Sequence, residues 1–446
     1  MRKLNSRSLR FIPAALGLVS ALVANNASAA NQYFDVNGVT AGYGVVNGGS
    51  YSWDDPNWAA ASGGTSATAN WVAGNFPRFN GGVSGNSYTV TVNADESMAG
   101  LYNTVAGVTL NINGAGAGTL DVVSGDQGFL VTGSVVINAP ISGSGGVAPE
   151  LGSNLYLYGN NTYSGGTAFG YSGAPLTYFN NNNSFGSGAI RLLGTAANFQ
   201  ALLSTGGSTI TLANGFVNST TGTGLNFASG ANTPVVSTGN WSLGANTLNL
   251  RNSGDSTAPL TISGVISGTG NLSLSANNSG KIILSGANTY TGTTTVGVGT
   301  TPVTLQLGAA NAIASSSSLI MSGGTFNPGG FSQAMAATTL GLTANSTIDF
   351  GAGASALKFA NSSSLTWSGV LNLANWNPAL DSLEIGTDRT GLTSTQLADI
   401  EVNGAYLGTA EINSSGNISF VPEPSTALLS LLGGLGVMWT IRRRTA

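Results

Sequence analysis

The most restrictive feature of this chain is a short apolar word that keeps returning. Leu248-Asn249-Leu250, Leu260-Thr261-Ile262, Leu272-Ser273-Leu274 and Ile282-Ile283-Leu284 follow one another at an almost even step. Each is bounded by Gly, Asn or Ser, residues that supply positive-φ and side-chain-bonded turns. In the first three, apolar and polar residues alternate, as a strand with one buried face requires. A longer period encloses the short one. Ile141-Ser142-Gly143-Ser144-Gly145 returns as Ile266-Ser267-Gly268-Thr269-Gly270. Gly159-Asn160-Asn161-Thr162-Tyr163-Ser164-Gly165-Gly166-Thr167 returns, at nearly the same offset, as Gly286-Ala287-Asn288-Thr289-Tyr290-Thr291-Gly292-Thr293-Thr294.

Spacing of this kind also suits a sandwich or a barrel. The pattern, however, runs through roughly 300 residues, too many for one sandwich core. Stacked coils resolve the difficulty, because each coil buries its inner face on its neighbours while backbone hydrogen bonds run along the axis. The expected fold is therefore all-β: a right-handed parallel β-helix (β-solenoid) with terminal caps and coils of roughly 20 to 35 residues, each holding two or three strands. Asn and Thr are expected to form ladders inside it, and tyrosines to cap its turns.

Composition narrows the chemistry. The chain of 446 residues contains 66 Gly and neither Cys nor His. Without Cys there is no disulfide scaffold, so packing and backbone ladders must supply the stability. Ordinary zinc sites, His-dependent triads and Cys nucleophiles are excluded as well. Charged residues make up only 7% and are unevenly placed, with seven of the 13 Lys and Arg near the termini. The body from Asn31 to Val421 holds 6 basic and 16 acidic residues, a net charge of −10. Such a body does not suit a phosphate backbone, so no nucleic-acid partner is expected.

The two ends read as addresses. Arg2, Lys3, Arg7 and Arg10 precede an apolar stretch from Phe11 to Val23, and Ala27-Ser28-Ala29 follows with small residues at Ala27 and Ala29. This is the layout of a cleaved secretory signal over residues 1–29, read by the secretion translocon, with cleavage after Ala29 or Ala30. At the other end, Pro422-Glu423-Pro424 precedes an apolar run from Ala427 to Ile441 and the basic tail Arg442-Arg443-Arg444. As a helix this run spans about 22 Å, short for a hydrocarbon core of about 30 Å, and Gly433, Gly434 and Gly436 weaken it further. The run suits brief inner-membrane anchoring by a single hydrophobic helix. The arginines stay cytoplasmic and the body lies on the far side.

Residues 421–446 resemble the PEP-CTERM sorting signal of Gram-negative bacteria, in motif, apolar run and basic tail together. The resemblance implies an exosortase-type processing protease that cuts near Pro422-Glu423-Pro424 and sends the protein toward the cell surface or exopolysaccharide. The stretch from Leu284 to Val296 looks like the autotransporter-associated (passenger-associated) β-strand repeat, and Tyr158 to Thr167 is a weaker copy. That family builds β-helical extracellular stalks. No alternating strands of a membrane barrel end this chain, which is passenger-like rather than an autotransporter.

Between the addresses, residues 30–82 read as an N-terminal cap, 83–345 as the repetitive solenoid and 346–420 as its C-terminal end. Trp53, Trp58 and Trp71 concentrate in the first of these; they cover the first coil or, in the sharper reading, stack on sugar rings. Acidic residues thicken from Asp381 to Glu411 in what reads as a solvated cap. There Thr393-Ser394-Thr395-Gln396 has capping-box spacing and predicts a short helix.

An enzyme of this fold needs converging carboxylates. From Gln127 to Ile348 the acids are Glu150 and Asp255 alone, and the bases are Arg191, Arg251 and Lys281. No catalytic, cofactor or metal site is expected. The expectation is an exported, non-enzymatic structural or adhesive protein of the surface or biofilm matrix. A carbohydrate-binding module is the alternative, ahead of a polysaccharide lyase or hydrolase.

Overall fold

The computed structural model describes residues 29–422, except 151, 153, 171–175, 195–198, 221–223, 230–232, 300 and 405–407. Within them the chain is an all-β solenoid of about 12 turns, almost without helix. Three faces run along it. One is a 12-stranded sheet whose parallel strands run from Asn31–Phe34 to Ile266–Ser267. The second is a 13-stranded parallel sheet from Gly49–Ser52 to Leu340–Ala344. The third opens with three strands, Glu96–Met98, Leu120–Val122 and Ile141–Ser142, and resumes as nine from Ile210–Leu212 to Ile400–Val402.

This arrangement gives the spacing of the short word its cause. Leu248–Asn252 and Leu272–Ala276 are neighbours on the second face, with Leu250 opposite Leu274. Leu260–Ile262 and Lys281–Leu284 are neighbours on the third, with Leu260 opposite Ile282. Successive words alternate between two faces, so two words make one coil. The first-face strands between them, Trp241–Ser242 and Ile266–Ser267, hold one inward and one outward residue each, too few for alternation to show. Coil length is not constant along the second face. The step that carries Leu110 to Val135 is longer than the one that carries Val135 to Leu155.

The core follows from register. On the third face Ile210, Val235, Leu260, Ile282, Leu305, Phe326, Ile348, Leu373 and Val402 stand in one continuous inward column. All are buried, and burying each side chain contributes about 1.5–3 kcal/mol. Parallel pairing crosses both expected boundaries. Arg78 stands opposite Tyr102 across residue 83, and Phe326 opposite Ile348 across residue 345.

The longer repeat is a corner motif. In the first copy Asn161 accepts from the Ile141 N–H at 2.8 Å and donates to the Ser184 carbonyl at 2.7 Å. In the second, Asn288 accepts from Ile266 N–H at 2.7 Å and donates to Ala312 O at 2.6 Å. The tyrosine hydroxyls repeat too: Tyr163 meets Thr167 Oγ1, and Tyr290 meets Thr294 Oγ1, both at 2.6 Å. Each asparagine ties its corner to the coils on either side through backbone groups, not through another asparagine. The tyrosines do not sit over turns, however; both are fully buried, because Thr gives each phenol a partner inside. The copies also occupy different faces. Thr167–Phe169 lies on the first sheet and Thr294–Val296 on the second.

At its start, strand Trp58–Ala59 adds antiparallel to Asn31–Phe34, and Thr68–Ala69 adds antiparallel to Trp58–Ala59. Near its end, a hairpin of Gly408–Ile412 and Ile418–Pro422 joins the edge strand Ser382–Ile385 through an antiparallel bridge from Asn417 to Glu384. The helix Ser394–Ala398 forms where the sequence places it. Thr393 Oγ1 accepts from Gln396 N–H at 3.2 Å and Gln396 Oε1 from Thr393 N–H at 2.7 Å.

Candidate functional site

The tryptophans come together, but inside. Trp53 and Trp58 are 0% and 1% exposed, with ring centroids 4.8 Å apart, and Trp71 packs half-buried 4.7 Å from Trp58. Trp58 donates its indole N–H to Trp53 O at 2.8 Å, and Trp71 donates to Ser97 O at 3.1 Å. The sugar-stacking reading of Trp53 and Trp58 is corrected by this burial. Residues interleaved with Phe34 and Phe79 offer no ring face to a ligand. They are part of the apolar core of the first coils instead.

Beside this cluster the fold joins two carboxyl groups that lie far apart in sequence, Asp54 and Glu96. Asp54 Oδ2 accepts from Asn93 Nδ2 at 2.8 Å, Asn93 N–H at 3.1 Å and Ser52 Oγ at 3.2 Å. Burial pushes this carboxyl up, but the hydrogen bonds outweigh it and hold the group below the usual range. Glu96 is pushed up to about 7, first by burial and then by its hydrogen bond with Asp54 and the charges of Asp54 and Asp95. Two carboxyl groups bonded to each other stand too close to flank a glycosidic bond, which needs about 5–9.5 Å between them. The pair escaped the sequence reading because its members sit on separate coils.

Two ion pairs join strands elsewhere. Arg191 pairs with Asp126 across the first sheet and donates to Gly165 O at 2.9 Å. Lys358 and Glu384 pair on neighbouring strands at 2.6 Å. Asp381 departs from the expectation of a solvated acidic end. It is buried and accepts from the Ser355 and Asn377 N–H groups at 3.1 and 2.9 Å. Among the described residues no group of three or more acidic side chains is placed to hold a metal ion.

A groove of about 550 Å³ opens where three consecutive coils turn away from the second face, over Tyr158, Asn160, Asn180 to Asn183 and the Gly206-Gly207 turn. The run of four Asn was the available signal for it. Nothing in one segment, however, reveals that three coils converge there.

The addresses fall at the margins. Ala29 is the first described residue, and Ala30 is already tied to the solenoid, its N–H donating to Asn75 Oδ1 at 3.0 Å. Ala27, and with it nearly all of the expected signal, lies outside the described residues, as do Glu423, Pro424, the apolar run and Arg442, Arg443 and Arg444. Pro422 is the last described residue, paired with Gly408. Among the described residues no helix is long and apolar enough to cross a membrane. No family model, curated protein or solved structure matches the chain.

Proposed function

We propose that this chain is an exported, non-enzymatic structural or adhesive component of the cell surface or extracellular matrix. A signal peptide removed after Ala29 or Ala30 would deliver it, and an exosortase-type protease would process it at Pro422-Glu423-Pro424. The coils wind right-handed, as parallel crossovers overwhelmingly do, and the antiparallel strands at the start and the hairpin near the end serve as caps. Before processing, the C-terminal apolar helix holds the chain briefly in the inner membrane. Afterwards the solenoid is free to reach matrix polysaccharide.

The observation that carries this reading is the continuity of the solenoid, a rod of about 12 coils. Among the described residues the coils repeat without an inserted domain, which suits a spacer or scaffold better than a machine. Cuts after Ala29 and beyond Pro422 would leave in place the Ala30 N–H bond to Asn75 Oδ1 and the pairing of Pro422 with Gly408.

Terminal-peptide mass spectrometry on fractionated cells tests the proposal. A mature chain starting at Ala30 or Asn31, ending near Pro422 and recovered outside the inner membrane is the expected result. A chain that keeps Arg442 to Arg444 in the inner membrane would overturn the sorting step.

A further inference from the structure

We propose that the groove over Asn180 to Asn183 is a binding site for a neutral polysaccharide. Every residue lining it is uncharged: a phenol, a row of amides, two hydroxyls, two glycines and the buried Ile210. A polyanion finds no cation there. A ligand made of hydroxyl groups finds donors and acceptors at every step. The volume falls within the usual range for ligand sites, about 300–1,000 Å³.

Asn181 is held at both ends, accepting from Asn183 N–H at 2.9 Å as well as donating, and the other amides are held by one end each. Asn182 Oδ1 accepts from Thr211 N–H at 2.8 Å. Asn183 Nδ2 donates to Asn160 Oδ1 at 2.7 Å. Asn180 Oδ1 accepts from Asn181 Nδ2 at 2.9 Å, and Asn181 donates also to Tyr158 O at 3.0 Å. The other ends, Nδ2 of Asn160, Asn180 and Asn182 and Oδ1 of Asn183, have no partner among the described residues and lie on exposed side chains. A set of oriented donors beside an acceptor matches the vicinal hydroxyls of a sugar, each of which both gives and takes a hydrogen bond.

Tyr158 supplies the apolar element. Thr205 Oγ1 donates to its hydroxyl at 2.9 Å, and its ring stands edge-on to Tyr156 at 5.6 Å. Tyr156 is itself stacked on Tyr178 at 4.2 Å. A ring fixed in this way gives contact area at little cost in conformational entropy, while the asparagines give adaptable hydrogen bonds. Gly206 and Gly207 put no side chain in the groove, and a Cβ at Gly206 would come within 3.0 Å of the Asn180 carbonyl. Three coils contribute to the site, so it exists only in the stacked solenoid.

The proposal requires neither export nor processing, and its test leaves those aside. The purified protein is titrated calorimetrically with neutral glucan, mannan and galactan oligosaccharides and with uronic-acid oligomers, at low and high salt. The expected result is binding of at least one neutral series, unchanged by salt. The Asn182→Ala/Asn183→Ala pair should weaken it at least tenfold, and Tyr158→Ala likewise, while Tyr158→Phe keeps most of it. An unshifted melting temperature in the Asn pair separates lost contacts from lost fold. An Asn180→Gln variant, which keeps the amide, provides a second probe, with affinity reduced less than in the pair. Absence of neutral-glycan binding, a preference for uronic acids that fades with salt, or binding indifferent to these substitutions would each overturn the site.

Discussion

Two sets of buried amides do opposite things in this molecule. Asn161 and Asn288, at the repeated corners, each bridge a backbone N–H of one coil to a carbonyl of another. Gln200 and Asn218, on the inner side of the middle coils, are equally buried, yet no atom of either amide has a partner among the described residues. The difference teaches that burial of a polar side chain is not itself a sign of stabilisation. A corner amide fills positions that the turning backbone would otherwise leave unpaired. An amide facing a column of aliphatic neighbours loses its water and gains nothing. Leu225, the residue opposite Gln200 on the next coil, is apolar.

Substitution should therefore change sign between the two sets. Asn161→Ala and Asn288→Ala each strand a buried N–H and a buried carbonyl, and should lower stability by about 2–4 kcal/mol in urea unfolding. Nearly equal losses are expected, since the two corners are built alike on different faces. A loss at only one of them would break the comparison. Gln200→Leu and Asn218→Leu should raise stability by about 1–2 kcal/mol. A decrease in both would show that those amides have partners after all.

The tyrosines refine the comparison between the corners. Among the described residues Thr167 Oγ1 has Tyr163 alone as its partner, whereas Thr294 Oγ1 also meets Ser317 Oγ at 2.9 Å. Tyr163→Phe leaves a buried hydroxyl with no partner and should cost about 1–2 kcal/mol; Tyr290→Phe leaves a satisfied one and should cost about 0.5–1 kcal/mol. Equal costs would argue that the Ser317 contact contributes nothing. Burial pushes the Tyr290 phenol up to about 12, so neutral-pH titration should leave this corner untouched.

The smallest effect is the one that depends on pH. Neither corner word contains a carboxyl group, so sensitivity near neutrality belongs to the first coils. Glu96 is raised from 4.5 to about 7 in the folded chain, chiefly by burial. Its protonated form is favoured on folding, so the stability tied to it is fully present below pH 4.5 and is lost as pH rises through about 7. The group is only partly buried, and solvent screening keeps the effect to a fraction of about 1 kcal/mol. Amide exchange near Trp53 and Glu96 should quicken between about pH 4.5 and 7 while exchange at both corners, corrected for intrinsic rates, stays level. The Glu96→Gln variant should remove the difference.

Much of this architecture was legible because a solenoid writes its geometry into spacing. The even step from Leu248 to Leu260 to Leu272 is the step from the second face to the third and back, and Thr393 with Gln396 announced the short helix. What stayed hidden depends on superposition of coils. Strands as short as Ile266–Ser267 have no room to alternate. The two copies of the long repeat look equivalent in sequence, yet unequal coil lengths have turned one onto the next face. Trp53 and Trp58 suggested a platform because sequence reports their density, not which way they point. The pairing of Asp54 with Glu96 and the Asn-lined groove need coils brought side by side, which no local pattern shows.

In a stacked solenoid, residues far apart in sequence must stand a fixed number of rungs apart on one face. Lys281, Thr304, Thr325, Thr347, Asn372 and Glu401 form one outward column, each opposite the next. The chain has no native cysteine, so cysteines placed at 281 and 401 give unique spin labels. Strands about 4.8 Å apart put these two positions, five rungs apart, at about 24 Å. A narrow pulsed-EPR distance distribution centred near that value, broadened only by the label arms, is the predicted result. A mean far beyond it, or a broad distribution, would contradict the stacked solenoid.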